Sequence, residues 1–207
     1  MSSALIVTGT DTGIGKTVFA AGLTRALGAT YWKPVQSGIE DETDSQTVAR
    51  LSGRPVLPEG YALKRPASPH LSAAEEGIEI APAHLRLPDC AEPLVIEGAG
   101  GVLVPLHENL LLADLMAVWR APAIIVARTG LGTINHSLMT IEALRARKVD
   151  ILGIAFVGDD MADSRAIICR IGNVHDLGRL PRLTELTPAT LQAAFHNIDL
   201  SAIRGAL

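Results

Sequence analysis

Between the apolar run ALIVT and the segment VFAAGLTRAL lies GTDTGIGKT, Gly9 to Thr17. A glycine-rich turn that leaves a strand, opens a helix and ends in Gly-Lys-Thr narrows the choice of fold sharply. Its backbone N–H groups can converge on phosphate oxygens at a helix N-terminus, which calls for a strand–loop–helix unit in an α/β sheet. The strict phosphate-loop pattern would put its first glycine at position 10, where Thr10 stands; the glycine is one residue early, at Gly9, while Gly15, Lys16 and Thr17 keep their places. In this loop type the lysine reaches the β- and γ-phosphates and the hydroxyl enters the shell of Mg²⁺.

The rest of the chain repeats the strand–helix alternation that opens it, the signature of βαβ units and a mostly parallel central sheet with helices on both faces. The patterns predict strands over 4–7, 30–33, 94–97, 123–127, 151–157 and 174–178, and helices over 16–27, 44–51, 111–119, 134–147, 162–171 and 188–195. Many of the 12 prolines fall in 53–93, which reads as an irregular excursion holding one or two short helices. A length of 207 residues fits one P-loop domain over 1–207.

Several function classes drop out on composition. Although 48% of the residues are hydrophobic, runs such as APAIIVA are too short to span a bilayer, and no membrane partner is expected. The start MSSALIVTGTD lacks a basic leader and enters a strand directly, so a cytoplasmic address is expected. A net charge of −4 with no basic block argues against nucleic acid. The two cysteines, Cys90 and Cys169, suggest neither a disulfide framework nor zinc and read as small buried hydrophobes.

Other candidates gather where strands end. In KPVQSG the proline holds Lys33 extended at the end of the second strand, and Ser37 would face the same crevice as the phosphate loop. Glu97 closes the apolar run PLVIE ahead of the open turn GAGG; a lone carboxylate there is costly unless paired or bound to metal. Asp44 begins the helix DSQTVARL, and its local sequence reads first as an N-cap. GLGTINHSL, Gly130 to Leu138, opens another helix suited to an anion, with capping as the plainer role for Asn135 and His136. His70 and His107 show no metal spacing.

GTDTGIGKT, KPVQSG, Asp44, SPHLSA, VIEGAGG and GTINHSLMTIEAL together, in that order, resemble the dethiobiotin synthetase family, and the GTDT ahead of GKT is itself a family trait. The resemblance implies a homodimeric P-loop enzyme that uses ATP, Mg²⁺ and CO₂ to close a ureido ring on 7,8-diaminopelargonic acid. It implies catalysis by Lys16, Lys33, Thr12 and Ser37, with metal held by Thr17, Asp44 and Glu97. Nucleotide contacts are implied along Gly13, Ile14, Gly15, Lys16, Thr17 and Val18, at Gly98, Ala99 and Gly100, and at Gly158, Asp159, Pro181, Arg182 and Leu183. Thr12, Lys33 and Ser37 would meet carbamate or diamine. The helix start Gly132, Thr133, Ile134 and Asn135 of the opposite subunit would hold the substrate carboxylate.

This sequence departs from the family at Gly13, where an acidic residue is common, at Gly158 or Asp159, where an adenine-reading Asn is common, and at Arg179. Two P-loop alternatives differ elsewhere. Switch ATPases of the chromosome-partitioning type carry a signature lysine where Asp11 stands, and cobalamin-pathway amidoligase domains usually sit in longer chains than one ending at Leu207.

Overall fold

The computed structural model describes residues 3–207; Met1 and Ser2, part of the start expected to lack a leader, lie outside the described residues. The order is β1 (Ala4–Gly9), α1 (Lys16–Leu27), β2 (Thr30–Trp32), β3 (Val35–Ser37), α2 (Asp44–Ser52), β4 (Tyr61–Leu63), α3 (Pro69–Glu75), β5 (Leu94–Glu97), β6 (Pro105–His107), β7 (Leu110–Leu111), α4 (Leu112–Trp119), β8 (Ala123–Arg128), α5 (Thr133–Ala146), β9 (Ile151–Val157), α6 (Ala162–Gly172), β10 (Asp176–Leu180), α7 (Pro188–Ala194) and α8 (Leu200–Arg204).

Six strands form the central sheet in the order β10-β9-β8-β1-β5-β2, and every pair in it is parallel. Both faces are covered, as the uninterrupted apolar strands require. Leu5 and Val7 of β1, Val95 of β5 and Ile124 and Val126 of β8 share one core with Phe19, Leu23, Leu51, Leu191 and Ile203 from α1, α2, α7 and α8. The alternate residues Ile6, Ile96 and Ile125 join Leu115, Met116, Ile141, Leu144 and Ile168 from α4, α5 and α6 in a second core. This is the expected P-loop α/β architecture, with helices on both faces.

Because the strands are parallel, their carboxyl ends share one edge. The loops carrying residues 10–15, 98–101, 129–132, 158–161 and 181–183 therefore open there, as does Lys33 after β2. The two-stranded parallel pair β3·β4 extends that edge outward and carries Ser37 opposite Leu63.

The expected strand at 174–178 lies two residues later. Asn173 ends α6 in the left-handed region (φ 45°), and the Val174 N–H still closes that helix by donating to the Cys169 carbonyl, so pairing starts only at Asp176. Within 53–93, α3 and a 3-10 turn at Pro82–His84 are the short helices expected, whereas β4 is an addition. Cys90 and Cys169 are unpaired and half-buried at the margin of a core, less enclosed than expected. Among the described residues no helix is long and apolar enough to cross a membrane.

Candidate active site

The phosphate loop ends at Gly15, which caps α1 in the left-handed conformation (φ 94°); no side chain caps the helix and its first turn holds no acid. The opening N–H groups of α1 thus face the edge with only the helix's positive end behind them, the arrangement that accepts an anion. A side chain at position 15 could not be housed, since its Cβ would lie 2.8 Å from Val157 Cγ1 at the end of β9. Lys16 folds back over the loop, its ammonium donating to the Asp11 carbonyl at 2.6 Å. Burial lowers its pKa to about 8, with the Lys33 charge adding to the effect and Glu97 opposing it.

Four elements meet beside it. Thr17 is in the first turn of α1, Lys33 follows β2, Asp44 opens α2 and Glu97 ends β5. The Thr17 hydroxyl lies 2.8 Å from Asp44 Oδ1 and 2.9 Å from Glu97 Oε1. Lys33 Nζ lies 2.6 Å from Asp44 Oδ2 and 3.3 Å from Glu97 Oε1, and donates to the Gly98 carbonyl at 3.2 Å. Glu97 and Lys33 are 1% and 3% exposed, so this is a desolvated cluster rather than a surface ion pair.

The N-cap role that the local sequence suggests for Asp44 belongs to its neighbour. Thr43 accepts from the Gln46 N–H, and Gln46 reaches back to the Thr43 N–H, closing a capping box. That frees the Asp44 carboxylate to turn inward, while its N–H donates to Gln36 Oε1.

The two lysines and two carboxylates balance in formal charge, and each responds to its surroundings differently. Burial works against the Lys33 ammonium, but Glu97 and Asp44 outweigh it and hold its pKa above the ordinary lysine value. Burial likewise opposes the Asp44 carboxylate, and Lys33 outweighs it, keeping its pKa low. For Glu97 burial prevails and pushes the carboxyl up. One Thr17 hydroxyl proton stands between two carboxylate oxygens and can serve only one. The donor set therefore fits a hard divalent ion: three converging oxygens and an excess of acceptors. Among the described residues no group of three or more His, Cys, Asp or Glu could hold a metal, so an ion here would need phosphate or water to complete its shell.

A cavity of about 400 Å³ opens from the cluster, lined by Thr12, Lys33, Ser37, Asp44, Pro66, Ser68, Ala99 and Gly100 among others. Ser37 lines this cavity, and its Oγ is buried without a hydrogen-bond partner. A second cavity, about 430 Å³, shares Thr12 and Val104 and is bordered by His136, Met139 and Thr140 of α5.

The other sequence candidates lie further out. Gly98 lends its carbonyl to Lys33, and Ile14 and Val18 pack into the core beneath the loop. Gly132–Asn135 line neither cavity. Thr133 is spent within the chain, with its N–H on Gly130 and its hydroxyl on Arg128, while Gly132, Ile134 and Asn135 are exposed. Gly158 adopts φ 130°, and a Cβ on it would meet Thr129 Oγ1 at 2.5 Å. Asp159 and Arg182 are highly exposed and only 3.8 Å apart; Arg179 turns back to the Gly158 carbonyl.

Sequence reading passes over Tyr31, whose hydroxyl donates to Glu97 Oε2 at 2.8 Å, and Gln36. A tyrosine inside the buried strand TYW was the available signal, because its hydroxyl must find a partner.

A family model described as an AAA domain matches residues 3–190. The chain is 57% identical over 198 residues to a protein of Brucella ovis named ATP-dependent dethiobiotin synthetase BioD, covering 94% of this chain and 93% of that protein. Relatives of the same name in Agrobacterium fabrum and Rhodopseudomonas palustris are each 59% identical with the same coverage. Among solved structures, a ParA family ATPase of Chlorobium tepidum superposes with a TM-score of 0.57 at 10% identity, covering 99% of this chain and 98% of that one. The cell division protein MinD of Aquifex aeolicus gives 0.54 at 14% identity, covering 98% and 96%. At such identities these two are similar to this chain in fold alone.

Proposed function

The chain belongs to the family of ATP-dependent dethiobiotin synthetases, and on that premise we propose that it joins CO₂ to 7,8-diaminopelargonic acid with ATP, yielding dethiobiotin, ADP and phosphate. The observation that carries the assignment of residues is the meeting of Lys16, Thr17, Lys33, Asp44 and Glu97 at one sheet edge, beside a cavity lined by Ser37.

One amine of the diamine attacks CO₂ and loses a proton, giving a carbamate that Lys33, Ser37 and Thr12 would hold. A carbamate oxygen then takes the γ-phosphoryl group and ADP leaves. The second amine attacks the activated carbonyl, the ring closes and phosphate departs. The free N–H groups of α1 grip the phosphates, and Lys16, released from Asp11, follows the charge on the transferring group. Lys33 offsets the negative charge that builds on carbamate and phosphoryl oxygens, where stabilisation raises kcat. Thr17, Asp44 and Glu97 are the residues that would hold Mg²⁺, whose chemistry here is neutralisation of the β- and γ-phosphate oxygens.

The working unit is a cytoplasmic homodimer, the exposed Gly132, Ile134 and Asn135 of one copy meeting the substrate carboxylate in the other. ADP release measured with and without diaminopelargonate and bicarbonate tests the proposal. Turnover should require both; hydrolysis indifferent to either would point to a nucleotide switch.

A further inference from the structure

Glu97 is the most enclosed carboxylate of the cluster, and its two oxygens are used differently. Oε1 faces Thr17 and Lys33, while Oε2 accepts from the Tyr31 hydroxyl at 2.8 Å. Tyr31 is fully buried. The register explains the meeting: Tyr31 of β2 pairs with Val95 of β5, and alternation puts Glu97 on the same face one step further along. The strand backbone around Tyr31 is fixed as well, its N–H on the Pro55 carbonyl and its carbonyl on the Leu57 N–H.

A carboxylate at the end of a four-residue strand is otherwise free to turn about its last torsion, which is broad and roughly two-fold. Rotation would bring both oxygens toward Thr17 and Lys33 or leave one buried without a donor, a costly state. With Oε2 held from behind, only Oε1 is presented to the site. We propose that Tyr31 is a positioning residue that acts through Glu97, fixing it as a one-oxygen ligand for the divalent ion that accompanies the nucleotide. The inference rests on the reading of Glu97 as a metal ligand.

The test is Mn²⁺ binding, read from the free-ion electron paramagnetic resonance signal with a non-hydrolysable ATP analogue present, alongside the Mg²⁺ dependence of the rate. Removing a partner that orients a metal ligand weakens metal affinity by roughly tenfold or more, and Tyr31→Phe should do so. Saturating Mg²⁺ should restore much of its kcat, whereas Glu97→Gln should stay slow. Tyr31→Phe in the Glu97→Gln background should add little further loss of affinity. If Tyr31→Phe melts earlier yet binds Mn²⁺ like the parent, the hydroxyl is structural and the proposal is overturned. If Glu97→Gln also leaves Mn²⁺ affinity unchanged, the metal-ligand reading falls with it; a loss in Glu97→Gln alone removes only Tyr31. A second measurement does not require Tyr31→Phe to fold. The chain has 2 tyrosines, so 3-fluorotyrosine in a Tyr61→Phe protein reports Tyr31 alone. Its fluorine resonance should shift with Mg²⁺ and lose that response in Glu97→Gln, and a resonance insensitive to Mg²⁺ would defeat the proposal.

Discussion

At the scale of single residues, Lys16 and Lys33 are both buried cations whose environments oppose one another. Lys33 sits between two carboxylates and keeps its proton; Lys16 has mainly a carbonyl, and burial lowers it to about 8. The unfolded chain therefore binds more protons than the native one between about pH 8 and 10.5, and stability from this group rises with pH across that window. At pH 7 the whole penalty is present, at most about 3 kcal/mol, and Lys16→Met should remove part of it. The ligand-free variant should melt a few degrees above the parent at pH 7, with the gain shrinking toward pH 10, and should lose the stabilisation that ATP gives. A variant that melts lower at pH 7 would show that the Asp11 contact outweighs the desolvation. Lys33→Ala should act on the chemistry instead, lowering kcat by roughly a hundredfold with a smaller change in the ATP KM. Wild-type kcat in Lys33→Ala would remove it from catalysis.

Elements decide which of these residues meet, and here sequence and structure part company in instructive ways. The α1 start, Lys33 and Glu97 were legible because each is tied to an unmistakable punctuation: the glycine loop, a proline after a strand, an apolar run ending in acid. Asp44 was legible only through the resemblance, not locally, since Thr43, Asp44 and Ser45 are all good caps; only Gln46, three residues after Thr43, singles out the true cap. The pairs β3·β4 and β6·β7 contain too few residues for a period to register, and the Tyr31–Glu97 bond depends on a register between strands more than sixty positions apart in sequence. If the α2 cap holds Asp44 in the site, Asp44→Asn should raise the Mg²⁺ needed for half-maximal rate, and Thr43→Ala should do so more weakly while costing about 1 kcal/mol of stability. An unchanged Mg²⁺ titration for Asp44→Asn would take that residue off the metal. At the β9–β10 edge the backbone of Gly158 rules out any side chain there, and Asp159 points to solvent. Phosphate contacts ignore the base, so GTP and CTP should support the reaction within roughly a hundredfold of ATP in kcat/KM. A larger ATP preference across four nucleotides would show that backbone groups near Pro181–Leu183 read the base.

For the whole molecule the open matter is where the helix start of α5 finds its ligand. Gly132, Ile134 and Asn135 are exposed and border neither cavity, and the adjoining Leu131 is fully exposed, with Met139 half so one face along the same helix. A single exposed leucine is ordinary on a protein surface, so the case for a second copy here rests on the proposed function. In the proposed homodimer a two-fold arrangement would make such contact reciprocal: each copy would lend its α5 start to the other's Lys33 cavity and receive the same in return. On that proposal every site would draw Lys16 from one chain and Asn135 from the other. Lys16→Ala and Asn135→Pro, the latter lacking the backbone N–H, should each be inactive alone. Mixed and allowed to exchange, they should form hybrids in which one site carries both defects and the other carries none. With equal amounts and free exchange, half the dimers are hybrid and half their sites intact, so about a quarter of wild-type activity should return. The regained rate should rise with exchange time and vanish when the two variants are cross-linked as homodimers before mixing. No recovery in a mixture proven to exchange, or a sedimenting monomer that turns over at full rate, would place the substrate carboxylate on the same chain as its phosphate loop.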